Sequence, residues 1–139
     1  MTSLDKSNYL RGLLVICRLD QMVSDYEKLA LIRLSKILGF DPHFCSEAVE
    51  RLADNQFISE SLPVFSRKEI GVSFLSDSLR LAFLDGNFHL NELAWIRKVA
   101  KANGLGKKYW IDLLTRIRKS KTLITPNYIF EIEKYMNVS

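Results

Sequence analysis

The chain has 139 residues, 47% hydrophobic and 26% charged, with 8 Phe among its 11% aromatic side chains, enough apolar material for one buried core. That richness excludes intrinsic disorder, and 6 Gly, 3 Pro and 2 Cys exclude a collagen-like, coiled-coil or disulfide-scaffold chain. The longest uncharged apolar run, residues 12–17, falls far short of the ~20 residues a bilayer core needs.

No basic region followed by an apolar stretch stands at the N-terminus, so a soluble cytoplasmic domain without a secretory signal is the expectation. The formal charge is +4, unevenly spread: residues 1–70 carry a net −1 and residues 71–139 a net +5. Most of the excess lies between residues 97 and 121, where Arg97, Lys98, Lys101, Lys107, Lys108, Arg116, Arg118, Lys119 and Lys121 face Asp112 alone. Such a stripe attracts phosphate or an acidic partner, or else is the solvated face of a helix. No aromatic-plus-arginine motif for reading nucleic acid accompanies it.

The dominant period along the chain is helical. Tyr9, Leu10, Leu13, Leu14, Ile16 and Cys17 fall on adjoining faces of a helix over 3–19 that is apolar on most sides and central to the core. A second helix starts at a capping box, Ser24 with Glu27, runs through Leu29, Ala30, Leu34, Ile37 and Leu38, and stops at Gly39, the usual residue for a left-handed C-terminal position. Asp41-Pro42 is a cap followed by proline at the first helical position, and opens a third helix carrying Phe44, Ala48, Val49 and Leu52. Residues 55–65, with Pro63, read as a loose or short-helical connector.

Ser66 and Glu69 form a second capping-box pattern ahead of a long helix with Ile70, Phe74, Leu75, Leu79, Leu81, Ala82 and Phe83. Asp85-Gly86 is a turn. A helix over 90–103 ends at Gly104 and Gly106, and 107–119 is amphipathic around Tyr109, Trp110, Leu113, Leu114 and Ile117. Thr125-Pro126 then caps a last helix over about 126–137 with Tyr128, Ile129, Ile132 and Tyr135. With no alternating strand pattern, the fold class is all-α, with about seven helices.

Shifted by 65 residues, the sequence matches itself. Leu19-Asp20 falls on Leu84-Asp85, Val23 on Phe88, Glu27 on Glu92, Leu31 on Ile96, Leu34 on Val99, and Gly39-Phe40 on Gly104-Leu105. Two three-helix pseudo-repeats, about 8–53 and 66–120, each unable to bury its apolar face alone, would pack into one compact domain with the C-terminal helix laid across.

The turn pattern Asp-Gly-x-apolar-x-x-x-Glu between two helices, clearest in Asp85, Gly86, Phe88 and Glu92, resembles the TerB-like tellurite-resistance family. It is also similar to the related N-terminal domain of DjlA-type co-chaperones. The first copy departs from the pattern with Gln21 in place of Gly, and the second carries His89 where Ser or Thr is typical. The resemblance covers about residues 8–120. It implies a compact bacterial helical domain with a role in stress response or membrane-associated complexes. It also implies a protein partner, no catalytic activity, and an acidic surface suspected of binding divalent cations.

A calcium, magnesium or manganese ion would be held by Asp85 and Glu92, joined by Asp20 and Glu27 from the equivalent turn, since a hard cation takes several oxygen ligands. The glutamate comes at position 8 of the turn, not at the 12 of an EF-hand. Against this stands a purely structural role: Asp20 and Asp85 turning to following amides, and Glu27 completing its capping box. His43 and Cys45 lack structural zinc spacing, and Cys17 and Cys45 read as small buried hydrophobes. Residues 104–108 lack the spacing of a phosphate loop. Trp95 and Trp110 read as core.

Overall fold

A computed structural model describes residues 1–20, 25–51, 59–83, 90–120 and 128–136, with Asp20 described for its backbone alone. Among these the secondary structure is helical throughout: α1 (Ser3–Asp20), α2 (Asp25–Ile37), α3 (Pro42–Glu50), α4 (Lys68–Ala82), α5 (Leu90–Ala102), α6 (Lys107–Ser120) and a terminal 3-10 helix (Glu131–Tyr135). The Ser24 cap, the Asp85-Gly86 turn and the Thr125-Pro126 cap lie outside the described residues. Among the described residues, no helix is long and apolar enough to cross a membrane.

The helices recur at a spacing of 65: α1 and α4 start at 3 and 68, α2 and α5 at 25 and 90, α3 and α6 at 42 and 107. The stops recur with them. Gly39 and Gly104 adopt φ of 96° and 74°, a left-handed conformation that costs glycine little. In one copy the Gly39 amide donates to Lys36 O at 2.9 Å and the Phe40 amide to Ser35 O at 3.0 Å. In the other, Gly104 donates to Lys101 O at 3.1 Å and Leu105 to Ala100 O at 2.9 Å. Both are the same Schellman closure. Asp41 starts α3 as its sequence announces, its carboxylate accepting from the amides of His43 at 2.9 Å and Phe44 at 3.1 Å.

α4 packs against α1, α5, α6 and the terminal 3-10 helix, while α2 packs on α3. The α1–α4 crossing has a local two-fold character. Tyr9 of α1 hydrogen-bonds Asp77 of α4, and Gly12 of α1 lies against the Phe74 ring of α4; Phe74 and Asp77 are Tyr9 and Gly12 displaced by 65. Residue i of one copy therefore meets j of the other and j meets i, as in an isologous interface. Tyr9, Phe65, Phe74 and Trp95 form the aromatic centre, with ring centroids 5.3–6.4 Å apart between neighbours.

Two expectations are corrected. Ser66 does not cap α4: the N-cap is Arg67, without a side-chain bond, and both the Ser66 amide and hydroxyl donate to the Asp5 carboxylate. Asp5 is itself buried and reciprocates with Thr2, whose hydroxyl accepts from the Asp5 amide, so the capping box belongs to the start of α1. The terminal element is not a helix over 126–137: residues 128–130 are non-helical and a 3-10 helix follows. Leu29, Ile37 and Phe44 lie on their helices as the spacing places them, and are exposed. The connector, described from residue 59, is irregular and clamped by side chains. Arg11 donates to the carbonyls of Ser59 and Ser61, the Trp95 indole to that of Glu60, and the Asn103 amide to that of Pro63.

Candidate binding site

The acidic residues singled out from the repeat are placed as follows. Glu27 and Glu92 occupy equivalent positions in the first turns of α2 and α5, and both are buried. Each is engaged within the chain. Asp20 is the last residue of α1, and Asp85 lies outside the described residues. Among the described residues no group of three or more His, Cys, Asp or Glu side chains could hold a metal ion. His43 is exposed, 3.7 Å from Glu47, whereas Cys45 and Cys17 are buried thiols.

The basic residues are displayed as a surface. Arg97, Lys98 and Lys101 of α5 are exposed, as are Lys107, Lys108, Arg116, Arg118 and Lys119 of α6; Lys121 lies outside the described residues. Arg97, Lys98, Lys101, Lys107, Lys108, Arg116 and Lys119 make no ion pair among the described residues, so their charge is directed to solvent.

A polar centre that spacing alone does not announce lies between α1, α4 and residues 128–136. Asp77 has 0% of its surface exposed. Its carboxylate accepts from the Tyr9 hydroxyl, from the Glu131 amide at 2.8 Å and from the Ile132 amide at 3.4 Å. Burial dominates its titration and pushes its pKa up to about 7, although these donors pull the other way. The same desolvation, with the Asp77 charge close by, pushes Tyr128 up to about 12 and raises Tyr9 well above its ordinary value.

Around this centre two arginines grip the terminal segment. Arg33 of α2 donates from both terminal nitrogens to the Glu133 carboxylate at 2.9 Å each, and to the Tyr128 carbonyl. Arg80 of α4 donates to Glu131 at 2.9 Å and to the Tyr128 hydroxyl at 3.1 Å. The hydrogen bond from Arg80 holds Glu131 below the usual carboxylate range. Two signals in the sequence mark this centre: a carboxylate alone in the otherwise uncharged stretch from Ile70 to Leu79, and the alternation Tyr128, Phe130, Ile132, whose buried side chains lead from the non-helical residues 128–130 into the 3-10 helix. Helical spacing fits the same stretch through Ile129 and Tyr135, which is why it misleads.

Comparison with protein-family models, with curated proteins and with solved structures finds no match to this chain.

Proposed function

We propose that this chain is a non-enzymatic binding module of the TerB-like type, engaging a protein partner in a stress or tellurite-resistance system of the bacterial cytoplasm. The observation that carries the reading is a difference between two copies of one backbone plan. On α2, Tyr26, Leu29 and Ile37 are 62%, 51% and 38% exposed, and at 100° per residue they share a sector of about 80°. The equivalent residues of α5 are Asn91, Ala94 and Ala102, also exposed. A helix in the same place in the second copy does without the large apolar side chains, so folding does not require them on α2. A row of this kind, about 16 Å long, is what a protein partner covers.

The test exploits the internal control. Tyr26→Asn/Leu29→Ala/Ile37→Ala puts the second copy's residues on the first, and is expected to leave helical content and melting temperature within a few degrees of wild type. A photo-crosslinking residue at position 29 is expected to give a discrete adduct in cells, and one at position 94 none. Equal labelling at both positions would remove the reading.

A divalent cation at the acidic turns is part of the proposal as a modulator. Trp95 is three residues from Glu92, so occupancy by calcium, magnesium or manganese is expected to change its fluorescence saturably, and Asp85→Asn/Glu92→Gln to abolish the change. No response at millimolar cation discards this part.

A second reading, binding of nucleic acid or another anionic surface through the stripe from Arg97 to Lys121, is supported by the exposure of its described side chains and by the lack of an ion pair, among the described residues, at Arg97, Lys98, Lys101, Lys107, Lys108, Arg116 and Lys119. It requires affinity for a phosphate polymer that falls steeply and log-linearly with salt.

A further inference from the structure

Residues 128–136 are held to the rest of the chain as a peptide is held by a receptor. Phe130 and Ile132 are fully buried and Tyr128 nearly so; the segment is a non-helical stretch, residues 128–130, leading into one short 3-10 helix, with the Phe130 amide donating to the Glu133 carboxylate at 2.6 Å. Many of its polar groups are nonetheless met from outside. Asp77 takes the amides of Glu131 and Ile132, Arg33 takes the Tyr128 carbonyl and the Glu133 carboxylate, and Arg80 takes Glu131 and the Tyr128 hydroxyl. The Arg67 guanidinium stands 5.8 Å from the centre of the Tyr135 ring. A forked arginine on one carboxylate, a second arginine on another and a buried acceptor for main-chain amides, beside buried places for apolar side chains, are components of peptide recognition.

The chemistry of the holding groups is also uneconomical for a purely structural tail. A buried carboxylate such as Asp77 loses hydration, and well-packed apolar side chains in its place are often as stable or more so. Its gain is directional: it specifies where two consecutive amides must lie. The titratable groups facing it are Tyr9 from α1 and Tyr128 and Glu131 from the segment; the acids of the segment are met instead by Arg80, on Glu131, and Arg33, on Glu133.

We propose that residues 128–136 are an intramolecular ligand, seated in a groove built by Tyr9, Arg33, Asp77 and Arg80, which a partner segment of the same chemistry displaces. That segment is a peptide that runs non-helically through two aromatic residues at alternate positions and then turns through an acid, an aliphatic residue and a second acid, after Tyr128, Phe130, Glu131, Ile132 and Glu133. The proposal deepens the protein-binding reading by naming a partner class, at a groove that meets α2 through Arg33. Arg33 lies within the same sector as Tyr26, Leu29 and Ile37, so a displacing partner would pass directly onto that exposed row.

The experiment uses the full chain and a fluorescein-labelled peptide with the sequence of residues 128–136, followed by anisotropy. Phe130→Ser/Ile132→Ser loosens the internal ligand while leaving the receptor residues unchanged. It is expected to bind the peptide at least about tenfold more tightly than wild type, because the competent state is no longer blocked. Adding Arg33→Gln/Arg80→Gln is expected to abolish that binding. Absence of binding to the loosened chain, with its helical content intact, overturns the proposal, as does binding indifferent to the two arginines.

Native-state hydrogen exchange on unaltered protein gives an independent answer if the loosened chain does not fold. The Glu131 and Ile132 amides should exchange through a local opening of lower free energy than the interior amides of α4. Exchange of both sets through one common opening overturns displacement. A wild-type dimer that dissociates on Phe130→Ser/Ile132→Ser assigns the groove to a second copy and overturns the partner form. Tyr26→Asn/Leu29→Ala/Ile37→Ala should leave the peptide titration unchanged, so the two readings fail separately.

Discussion

Gly12 and Gly71 offer a sharp test of the α1–α4 crossing, because both are helical glycines and the same substitution has opposite consequences. A Cβ on Gly12 would lie 2.5 Å from Phe74 Cζ and 2.6 Å from Phe74 Cε1, about 1 Å inside ordinary carbon contact. The Phe74 ring is fully buried and has Tyr9, Phe65 and Trp95 around it, so it cannot swing aside without moving the aromatic centre. Overpacking of this kind costs about 1–3 kcal/mol. Removing a helical glycine returns about 0.5–1 kcal/mol, so Gly12→Ala should lose about 1–2 kcal/mol net.

A Cβ on Gly71 meets Asn103 Cβ at 3.5 Å, an ordinary contact. Gly71→Ala should therefore keep the conformational gain and stabilise by about 0.5–1 kcal/mol. For a chain of this size, about 3–6 °C per kcal/mol puts the two variants roughly 10 °C apart. Urea denaturation and thermal melts followed by circular dichroism measure both. If Gly12→Ala is as stable as Gly71→Ala, the close approach of α1 to Phe74 is wrong, and with it the reciprocal pairing that defines the two-fold.

Two further outcomes are expected. Asp77 titrates near 7 in the folded chain against 3.8 for the ordinary carboxyl, so between those values the folded state holds more protons than the unfolded state. Its contribution to stability is therefore fully present below pH 4 and lost as pH rises through 7, by on the order of a few kcal/mol. Urea midpoints from pH 4 to 8 should show this decline in wild type and not in Asp77→Asn, whereas parallel profiles would mean that Asp77 is not desolvated as the fold implies. Asp41→Ala removes the acceptor for the His43 and Phe44 amides and should cost about 1 kcal/mol, read as a fall in melting temperature with α3 otherwise in place.

Much of the architecture was legible in the chain because it is set locally. Asp41-Pro42 and Gly39 each act within one turn, and Gly104 repeats Gly39 at the spacing that runs through the whole sequence. Their chemistry needs no distant partner. Where local signals competed, they misled: Ser66 offers an ideal cap to Glu69, yet Asp5, 61 residues away, takes both its donors. Periodicity likewise marks Leu29, Ile37 and Phe44 as apolar without saying whether anything covers them.

By itself, then, the sequence determined the all-helical class, most of the described helix limits through residue 120 and the 65-residue recurrence, because backbone hydrogen bonding and apolar spacing are properties of neighbours. Only the tertiary structure decided that Tyr9 meets Asp77, that Gly12 makes room for Phe74, and that residues 128–136 lie as a gripped segment instead of a helix. These depend on which surfaces come together. A buried carboxylate, two arginines and three alternating apolar side chains acquire their meaning from groups that stand about 50 to 100 residues apart along the chain.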